Sequence, residues 1–261
     1  MSGREVKMIF AAQARSFLRH HRAIAAPVSV AVRAYRKLRP VHEPVHPFDA
    51  EFGMNTGGLV GVARLRTGHA NEAQAMAYYG SQPSAFRTAM RRWMASLAGA
   101  GQPVQTFTFV DIGCGKGRVL MLASEFPLQR IVGVELSPAL VKDANENLRQ
   151  WRLRPHACEQ IEARVADVLE FPLPEGPTLL YLYNPFEAEL FARWVQSLQP
   201  ALASRTAPLH VMYMNPRHEA LLAAVPGVEL LWQESIAHDE AEASVSLIGS
   251  EPERVSLYRL A

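Results

Sequence analysis

Cysteine and long apolar runs are both scarce in this chain. Its 261 residues include two cysteines, Cys114 and Cys158, which are too few for the disulfide framework of a small secreted protein and which fit a reducing compartment. No uncharged apolar run reaches the roughly 18 residues that a membrane-spanning helix needs. The first residues also lack the apolar stretch and cleavage signal of a secretory peptide. These absences predict a cytoplasmic protein.

Acidic residues are almost missing from the amino-terminal segment. The chain holds 27 Lys and Arg and 25 Asp and Glu, and residues 1–42 contain nine of the former and one of the latter, Glu5. Residues 43–261 therefore hold 18 basic and 24 acidic residues, so the net charges are +8 and −6. This asymmetry predicts that the basic arm contacts an anionic partner. A solvated helical extension, a segment at a membrane surface and a contact with nucleic acid are the open interpretations.

The order of sequence patterns predicts the fold class. Residues 1–60 are predicted to be a basic helical extension with a Pro- and Gly-rich hinge at 40–60, and residues 61–261 a single domain. A helical stretch is predicted over 70–79 and another after residue 84. From residue 106, short apolar strands alternate with helical segments. The alternation predicts an α/β fold with a doubly wound, mostly parallel sheet and helices on both faces.

A glycine-rich turn follows the first predicted strand. Gly113, Gly115 and Gly117 come just after Asp111, and Glu135 ends the next predicted strand about 20 residues later. In open α/β sheets, ligands bind outside the carboxyl ends of the strands. Glycines allow a tight turn and the close approach of a ligand. A carboxylate at the position of Glu135 can accept both hydrogens of a ribose diol.

Two classes of cofactor bind to such a turn, and charge separates them. A nicotinamide dinucleotide would place its pyrophosphate there, next to the repelling carboxylate of Asp111. S-adenosylmethionine would place an ammonium and a sulfonium there, and a carboxylate attracts both. The charge favours S-adenosylmethionine. An NAD(P)-dependent oxidoreductase and an inactive cofactor-binding interaction module are the alternatives.

At this point the sequence resembles the class I, seven-β-strand, Rossmann-like S-adenosylmethionine-dependent methyltransferases. The segments that carry the resemblance are VDIGCGKGR at 110–118, VGVELS at 132–137, VADV at 165–168 and YLYNPF at 181–186. They look like the first four motifs of the family, and the resemblance covers roughly residues 78–261. It implies a methyltransferase whose cofactor is S-adenosylmethionine.

The resemblance also implies a role for each matching residue. Asp111 would hold the methionine ammonium, Glu135 would bind the ribose hydroxyls, and Leu136 would pack on adenine. Asp167 would accept from the adenine amino group, although it also fits the N-cap of the next turn. Tyr79 would close over the methionine end of the cofactor or simply pack before a helix. The residues that would give the cofactor room are Gly113, Gly115 and Gly117.

Asn184, Pro185 and Phe186 follow the fourth predicted strand of the sheet. In methyltransferases that act on amide or exocyclic amino nitrogens, an Asn/Asp-Pro-Pro-aromatic motif holds this place. The resemblance therefore implies transfer to a nitrogen, such as a lysine side chain of a protein, with Tyr183 added to the predicted catalytic residues. A strand-ending turn is the alternative, and a small molecule or RNA is the alternative acceptor. No metal site is predicted, and the general base stays open among Tyr183, Tyr213, Asp167 and His210.

Overall fold

The computed structural model describes residues 44–62, 65, 67–246 and 251–260. Residues 1–43, which contain the predicted basic helical extension, lie outside the described residues. The described residues from Val45 onward belong to one compact unit. Within the described ranges, no helix combines the length and apolar character that a membrane crossing requires.

A seven-stranded sheet forms the centre of this unit. Its strands are Thr108–Ile112 (β1), Arg130–Glu135 (β2), Ile161–Val165 (β3), Thr178–Leu182 (β4), Leu209–Met214 (β5), Val228–Ile236 (β6) and Glu253–Leu260 (β7). They lie in the order β3-β2-β1-β4-β5-β7-β6. Strands β1 to β5 pair in parallel, and β7 runs antiparallel to β5 and β6. The strand order reverses at β1 and β4, which is where open α/β sheets bind ligands.

Helices cover both faces of the sheet, as predicted. They are Pro47–Phe52 (α1), Pro83–Gly99 (α2), Arg118–Ala123 (α3), Pro138–Trp151 (α4), Ala188–Ser204 (α5), Glu219–Ala223 (α6) and Glu240–Val245 (α7). Phe86 of α2, Leu120 of α3 and Leu148 of α4 share one apolar core. Phe191 of α5 and Leu222 of α6 belong to a second core. Two separate cores are expected when one sheet is covered on both faces, and the predicted doubly wound fold class is confirmed.

Local chemistry explains where the helix after β2 begins. Ser137 caps α4 by accepting a hydrogen bond from the backbone N–H of Leu140, and Pro138 occupies the first turn. A serine side chain at the N-cap accepts a hydrogen bond from a backbone N–H group of the first turn, which otherwise has no partner in the helix. Proline suits the first helical position because it has no N–H group that needs a partner. The helix therefore begins directly after the end of β2, and it lies beside the glycine-rich turn.

Two local predictions are wrong. The predicted hinge at 40–60 contains the helix α1, which His46 caps by accepting from the N–H of Phe48 and which ends at the left-handed Gly53. The predicted helix over 70–79 is only a 3₁₀ helix at Ala70–Gln74. Beyond it the chain is extended, because it pairs with other segments at Ala75 and Tyr78. The predicted domain boundary at residue 60 stays a prediction, while residues 45–60 belong to the same unit as the sheet.

Candidate cofactor and active site

The glycine-rich turn links β1 to α3, and its backbone is left-handed at all three glycines. Gly113, Gly115 and Gly117 have φ angles of 79°, 51° and 81°, a region that other residues rarely adopt. A Cβ atom on Gly115 would lie 2.1 Å from the ring of Tyr78, and one on Gly113 would lie 2.7 Å from Pro185. Both the backbone conformation and the close approach of neighbouring residues therefore require glycine.

A cavity of about 280 Å³ lies outside the carboxyl ends of the central strands. This volume is near the lower end of the range for pockets that hold small ligands. Gly115 and Gly117 belong to the turn but are absent from the cavity wall, whereas the other predicted site residues all line it. Those residues are Tyr79, Asp111, Gly113, Glu135, Leu136, Asp167, Tyr183, Asn184, Pro185 and Phe186.

Asp111 is a buried carboxylate at the end of β1. Its residue is 3% exposed, and it lies in register with Gly133 of β2 and Tyr181 of β4. Burial raises the pKa of Asp111 well above its ordinary range, and the nearby charge of Glu135 raises it further. A positively charged ligand would offset both effects. The residue therefore fits the ammonium-binding role that the resemblance implies.

Glu135 shapes the turn as well as the cavity. Its Oε2 accepts a hydrogen bond from the N–H of Gly115 at 3.1 Å, and its Oε1 accepts one from the N–H of Ser137 at 2.8 Å. Burial raises the pKa of Glu135, against the lowering effect of these bonds. Each carboxylate oxygen can accept a second hydrogen bond. Glu135 can thus hold the turn and still accept from the hydroxyls of a ribose.

Asp167 caps the turn that follows β3, and its carboxylate also lines the cavity. Its Oδ1 accepts from the N–H of Leu169 at 3.0 Å, which is the turn-capping role. Its Oδ2 accepts from Nδ2 of Asn71 at 2.6 Å and lies 3.7 Å from Nε2 of His69. The carboxylate also faces the cavity beside Leu136. The adenine contacts predicted for Asp167 and Leu136 are compatible with these positions.

Tyr78, which the sequence did not single out, covers the glycine-rich turn, and Tyr79 lines the cavity next to it. The Tyr78 hydroxyl donates to the backbone oxygen of Thr56 at 2.6 Å, and its ring packs over Gly115. The Tyr79 hydroxyl donates to Ser246 and accepts from Gln82. Adjacent tyrosines at 78 and 79 carry no pattern that shows which one packs on the turn.

Arg118 is a second residue without a predicted role. It is 3% exposed and begins α3 directly after Gly117. Its Nε donates to Oγ1 of Thr56 at 2.7 Å, and its Nη1 donates to the backbone oxygens of Gly80 and Ser81. The guanidinium thereby fixes the chain segment that follows Tyr79 along the cavity.

The side chain of Asn184 makes internal hydrogen bonds. Its Oδ1 accepts from the Tyr213 hydroxyl at 2.9 Å and from the N–H of Arg217 at 3.2 Å, and its Nδ2 donates to the backbone oxygen of Asn215 at 2.6 Å. Both lone pairs of Oδ1 are therefore in use. The predicted contact of this oxygen with an acceptor nitrogen stays a prediction, and it would require the corner to rearrange. The left-handed backbone of Asn184, with φ of 47°, is typical of a strained turn beside a site.

Pro185 and Phe186 also have partners within the protein. The backbone oxygen of Pro185 accepts from the N–H of Met76 at 3.1 Å. The ring of Phe186 is 7% exposed and packs against Phe191 and Trp194, with centroid distances of 6.3 and 6.2 Å. These two residues therefore form a firm wall of the cavity, and their predicted catalytic roles stay predictions.

Two of the candidates for the general base, His210 and Tyr183, lie in different surroundings. His210 is 5% exposed and its Nδ1 accepts from Nε1 of Trp93 at 3.0 Å. Burial, assisted by Arg259, lowers the pKa of His210 to about 4. It is a core residue. Tyr183 instead lines the cavity, and its hydroxyl donates to Oε1 of Glu253 at 3.1 Å. Within the described residues, no group of His, Cys, Asp and Glu has the arrangement of a metal site.

Comparisons with known proteins agree with this geometry. Residues 109–203 match the family described as "Methyltransferase domain". A trans-aconitate 2-methyltransferase from Paracidovorax citrulli (strain AAC00-1) is 29% identical over 151 residues, which are 54% of this chain and 52% of that protein. A ribosomal protein L11 methyltransferase from Alteromonas mediterranea is 30% identical over 101 residues, 35% of this chain and 33% of that protein. The chain thus spans at most about half the length of these curated relatives.

Solved structures show weaker likeness. The methyltransferase domain of bacterial CtHen1-C is 16% identical with a TM-score of 0.46, over 67% of this chain and 98% of that chain. The N-methyltransferase NodS from Bradyrhizobium japonicum WM9, in complex with S-adenosyl-L-homocysteine, is 13% identical with a TM-score of 0.43, over 67% of this chain and 87% of that chain. The family match and the seven-stranded sheet confirm the recognition made from the sequence: the chain carries a class I, Rossmann-like, S-adenosylmethionine-dependent methyltransferase domain.

Proposed function

We propose that this protein transfers a methyl group from S-adenosylmethionine to a nitrogen of its acceptor, such as a lysine side chain of a protein. One observation carries the proposal. A single cavity contains the two carboxylates at the ends of β1 and β2 and also the Asn184–Pro185 corner after β4. A cofactor held by the first part of the cavity would present its reactive end to the second part.

The residues present fit the cofactor. Asp111 would hold the methionine ammonium, Glu135 the ribose hydroxyls, and Leu136 with Asp167 the adenine. When bound, S-adenosylmethionine supplies a methyl group on a cationic sulfur that is open to in-line displacement. The protein's contribution is to hold the acceptor atom in line and to exclude water, which can lower the barrier substantially without covalent catalysis.

A nitrogen acceptor is favoured by the chemistry near the corner. An amine is protonated at neutral pH and must lose a proton before it can attack, whereas a carboxylate is already deprotonated. The Tyr183 hydroxyl contacts the cavity on one side and the buried carboxylate of Glu253 on the other. The pair of Tyr183 and Glu253 could take the proton that an amine acceptor must lose. A carboxylate acceptor has no proton to lose and would not need such a pair.

A carboxylate acceptor is the second candidate, and one residue favours it. The exposed Arg217 lines the cavity next to the Asn184 corner, and its backbone N–H donates to Asn184. A guanidinium at the mouth would attract an acidic small molecule. The matched relative that is named for methylation of trans-aconitate makes this class of acceptor the natural competitor.

The test is methyl incorporation from radiolabelled S-adenosylmethionine into a cell extract, followed by mild alkali and amino-acid analysis. We expect alkali-stable label that co-migrates with methylated lysine, since N-methyl groups survive alkali and methyl esters do not. Asp111→Asn should abolish incorporation and weaken cofactor binding roughly 10- to 150-fold, the loss of one hydrogen bond to a charged group. Asp143→Asn, on α4 and outside the cavity wall, is the matched control and should leave both unchanged.

Other outcomes separate the alternatives. Label that alkali releases from a small molecule would replace the nitrogen acceptor by a carboxylate. Label recovered in methylated nucleotides would favour an RNA acceptor. A folded protein that binds no S-adenosylmethionine in calorimetry would refute the proposed function as a whole.

A further inference from the structure

We propose that Tyr183, Glu253 and His238 form a proton relay that carries a proton away from the acceptor nitrogen. The inference rests on the proposed function, and it deepens that function by naming how the acceptor is activated. Its three members come from the end of β4, the start of β7 and the loop after β6. The sheet topology brings them together, although they are 55 or more positions apart from Tyr183 in the sequence.

The contacts of the Tyr183 hydroxyl leave one position free. It donates to Oε1 of Glu253 at 3.1 Å and accepts from Nδ2 of Asn215 at 3.1 Å. A phenol oxygen has two lone pairs, so one remains for a donor that enters the cavity from the acceptor side. An ammonium group is such a donor. The Asn184 side-chain oxygen, by contrast, already accepts two hydrogen bonds.

The side chains of Glu253 and His238 are almost completely buried, whereas the partners of an ordinary surface ion pair are exposed to solvent. Glu253 is 1% exposed and the His238 side chain 2% exposed, with His238 Nε2 lying 3.3 Å from Glu253 Oε1. Among the described residues, Nδ1 of His238 and Oε2 of Glu253 are buried without a hydrogen-bond partner. Buried titratable atoms that stay unsatisfied are costly. A role in proton transfer explains why the fold retains them.

The surrounding charges suit a proton that moves inward. Three titratable groups lie beside the relay. Glu242 of α7 raises the pKa of His238 through its charge. Tyr79 lies near Tyr183, and Tyr181 lies near Glu253. The carboxylate of Glu253 raises the pKa of His238 despite burial, and Glu242 adds to this. Burial raises the pKa of Tyr183 well above its ordinary range. Tyr183 can therefore pass a proton on but cannot store the negative charge.

The proton is transferred from the acceptor nitrogen to His238 in three concerted steps. The N–H bond of the acceptor ammonium breaks and its proton bonds to the oxygen of Tyr183. The original phenolic proton moves to Oε1 of Glu253, so Tyr183 is neutral before and after. Glu253 passes its proton to Nε2 of a neutral His238, which leaves an imidazolium beside a carboxylate. The acceptor is left as a neutral amine with a free lone pair.

Ligand binding tests the relay without a known acceptor. S-adenosylhomocysteine lacks the transferable methyl group, and sinefungin carries a primary ammonium where that methyl group stands. We expect Tyr183→Phe to lower the preference for sinefungin over S-adenosylhomocysteine by about tenfold or more in calorimetry, since the ammonium loses its hydrogen bond. The affinity for S-adenosylhomocysteine should stay within about threefold of that of the wild type, a small change in free energy.

Tyr258→Phe is the matched control, because it removes the hydroxyl of another buried tyrosine, which lies on β7 and outside the cavity wall. It should leave the preference unchanged. Glu253→Gln removes the charge at nearly constant volume, and should lower the preference in the same way as Tyr183→Phe; it decides the matter if Tyr183→Phe does not fold. An unchanged preference in these variants, or an equal loss of both ligands, would overturn the relay and leave the proposed function standing. A wild-type protein that binds neither ligand would overturn the proposed function itself.

Discussion

At the scale of single residues, Gly115 offers the sharpest test of the turn. Its φ of 51° is unfavourable for alanine, and a Cβ atom would lie 2.1 Å from the Tyr78 ring, whose hydroxyl is held by Thr56. Backbone strain and overpacking should add. We expect Gly115→Ala to lower the free energy of unfolding by about 2–4 kcal/mol, measured by urea denaturation.

Gly53 is the matched control for this prediction. Its φ of 68° is also left-handed, but a Cβ atom there would have no atom within 4 Å. Gly53→Ala should therefore show the backbone strain alone, about 1–2 kcal/mol. Equal losses in the two variants would mean that Tyr78 does not pack on the turn in solution.

Single residues of the site also show what could and could not be predicted from the sequence. Asp111 and Glu135 were predictable, because each ends a short apolar strand and the spacing between them is set by one strand–helix–strand unit. Tyr78 was not, because its contact with Gly115 depends on a distant bridge with Val60. Glu253 and His238 were not predictable either, since only the antiparallel placement of β7 beside β5 brings Glu253 to Tyr183.

At the scale of elements, residues 54–60 form a strap over the glycine-rich turn. Asn55 donates from its N–H to Oδ1 of Asn147 on α4, at 3.0 Å. Thr56 is fully buried, donates through its hydroxyl to Asp49 on α1 and accepts from Nε of Arg118 on α3. The strap belongs to the segment 40–60, which was predicted to be a hinge from its prolines and glycines. The strap is fixed instead by polar side chains whose partners are up to 92 positions away.

The hydroxyl of Thr56 should therefore hold the strap in place. Thr56→Val keeps the shape of the side chain but leaves buried atoms of Asp49 and Arg118 without a partner. We expect a loss of about 2–5 kcal/mol in the free energy of unfolding, as for two charged groups left unsatisfied. Thr106→Val removes an exposed hydroxyl that donates to Pro103, and it should change stability by no more than about 0.5 kcal/mol. Similar effects for the two variants would show that the strap contributes little to folding.

Element boundaries followed the sequence wherever local chemistry decides them. Helix α4 begins where the sequence indicates a helix start, because Ser137 is its N-cap and Pro138 occupies its first turn. The predicted helix at 70–79 fails because tertiary hydrogen bonds override its pattern: the N–H of Met76 donates to Pro185 and that of Tyr78 donates to Val60. Local propensity cannot report partners that lie elsewhere in the chain.

At the scale of the whole molecule, charge divides the chain into a basic arm of +8 at residues 1–42 and a remainder of −6. Each basic residue near an anionic membrane contributes about 1 kcal/mol to binding, and added salt screens this attraction. We expect the full chain to sediment with vesicles that contain phosphatidylserine at low salt, and to be released from them at high salt.

A chain that begins at Glu43 separates the arm from the catalytic unit. This shortened protein keeps the compact unit that begins at Val45, so it should bind S-adenosylhomocysteine as tightly as the full chain does. It should not sediment with the vesicles, because its net charge of −6 is repelled by an anionic surface. Sedimentation of the shortened chain would place the anionic contact on the methyltransferase domain. If the full chain stays in solution at low salt, the arm does not bind this surface, and its charge then serves only to keep the extension solvated.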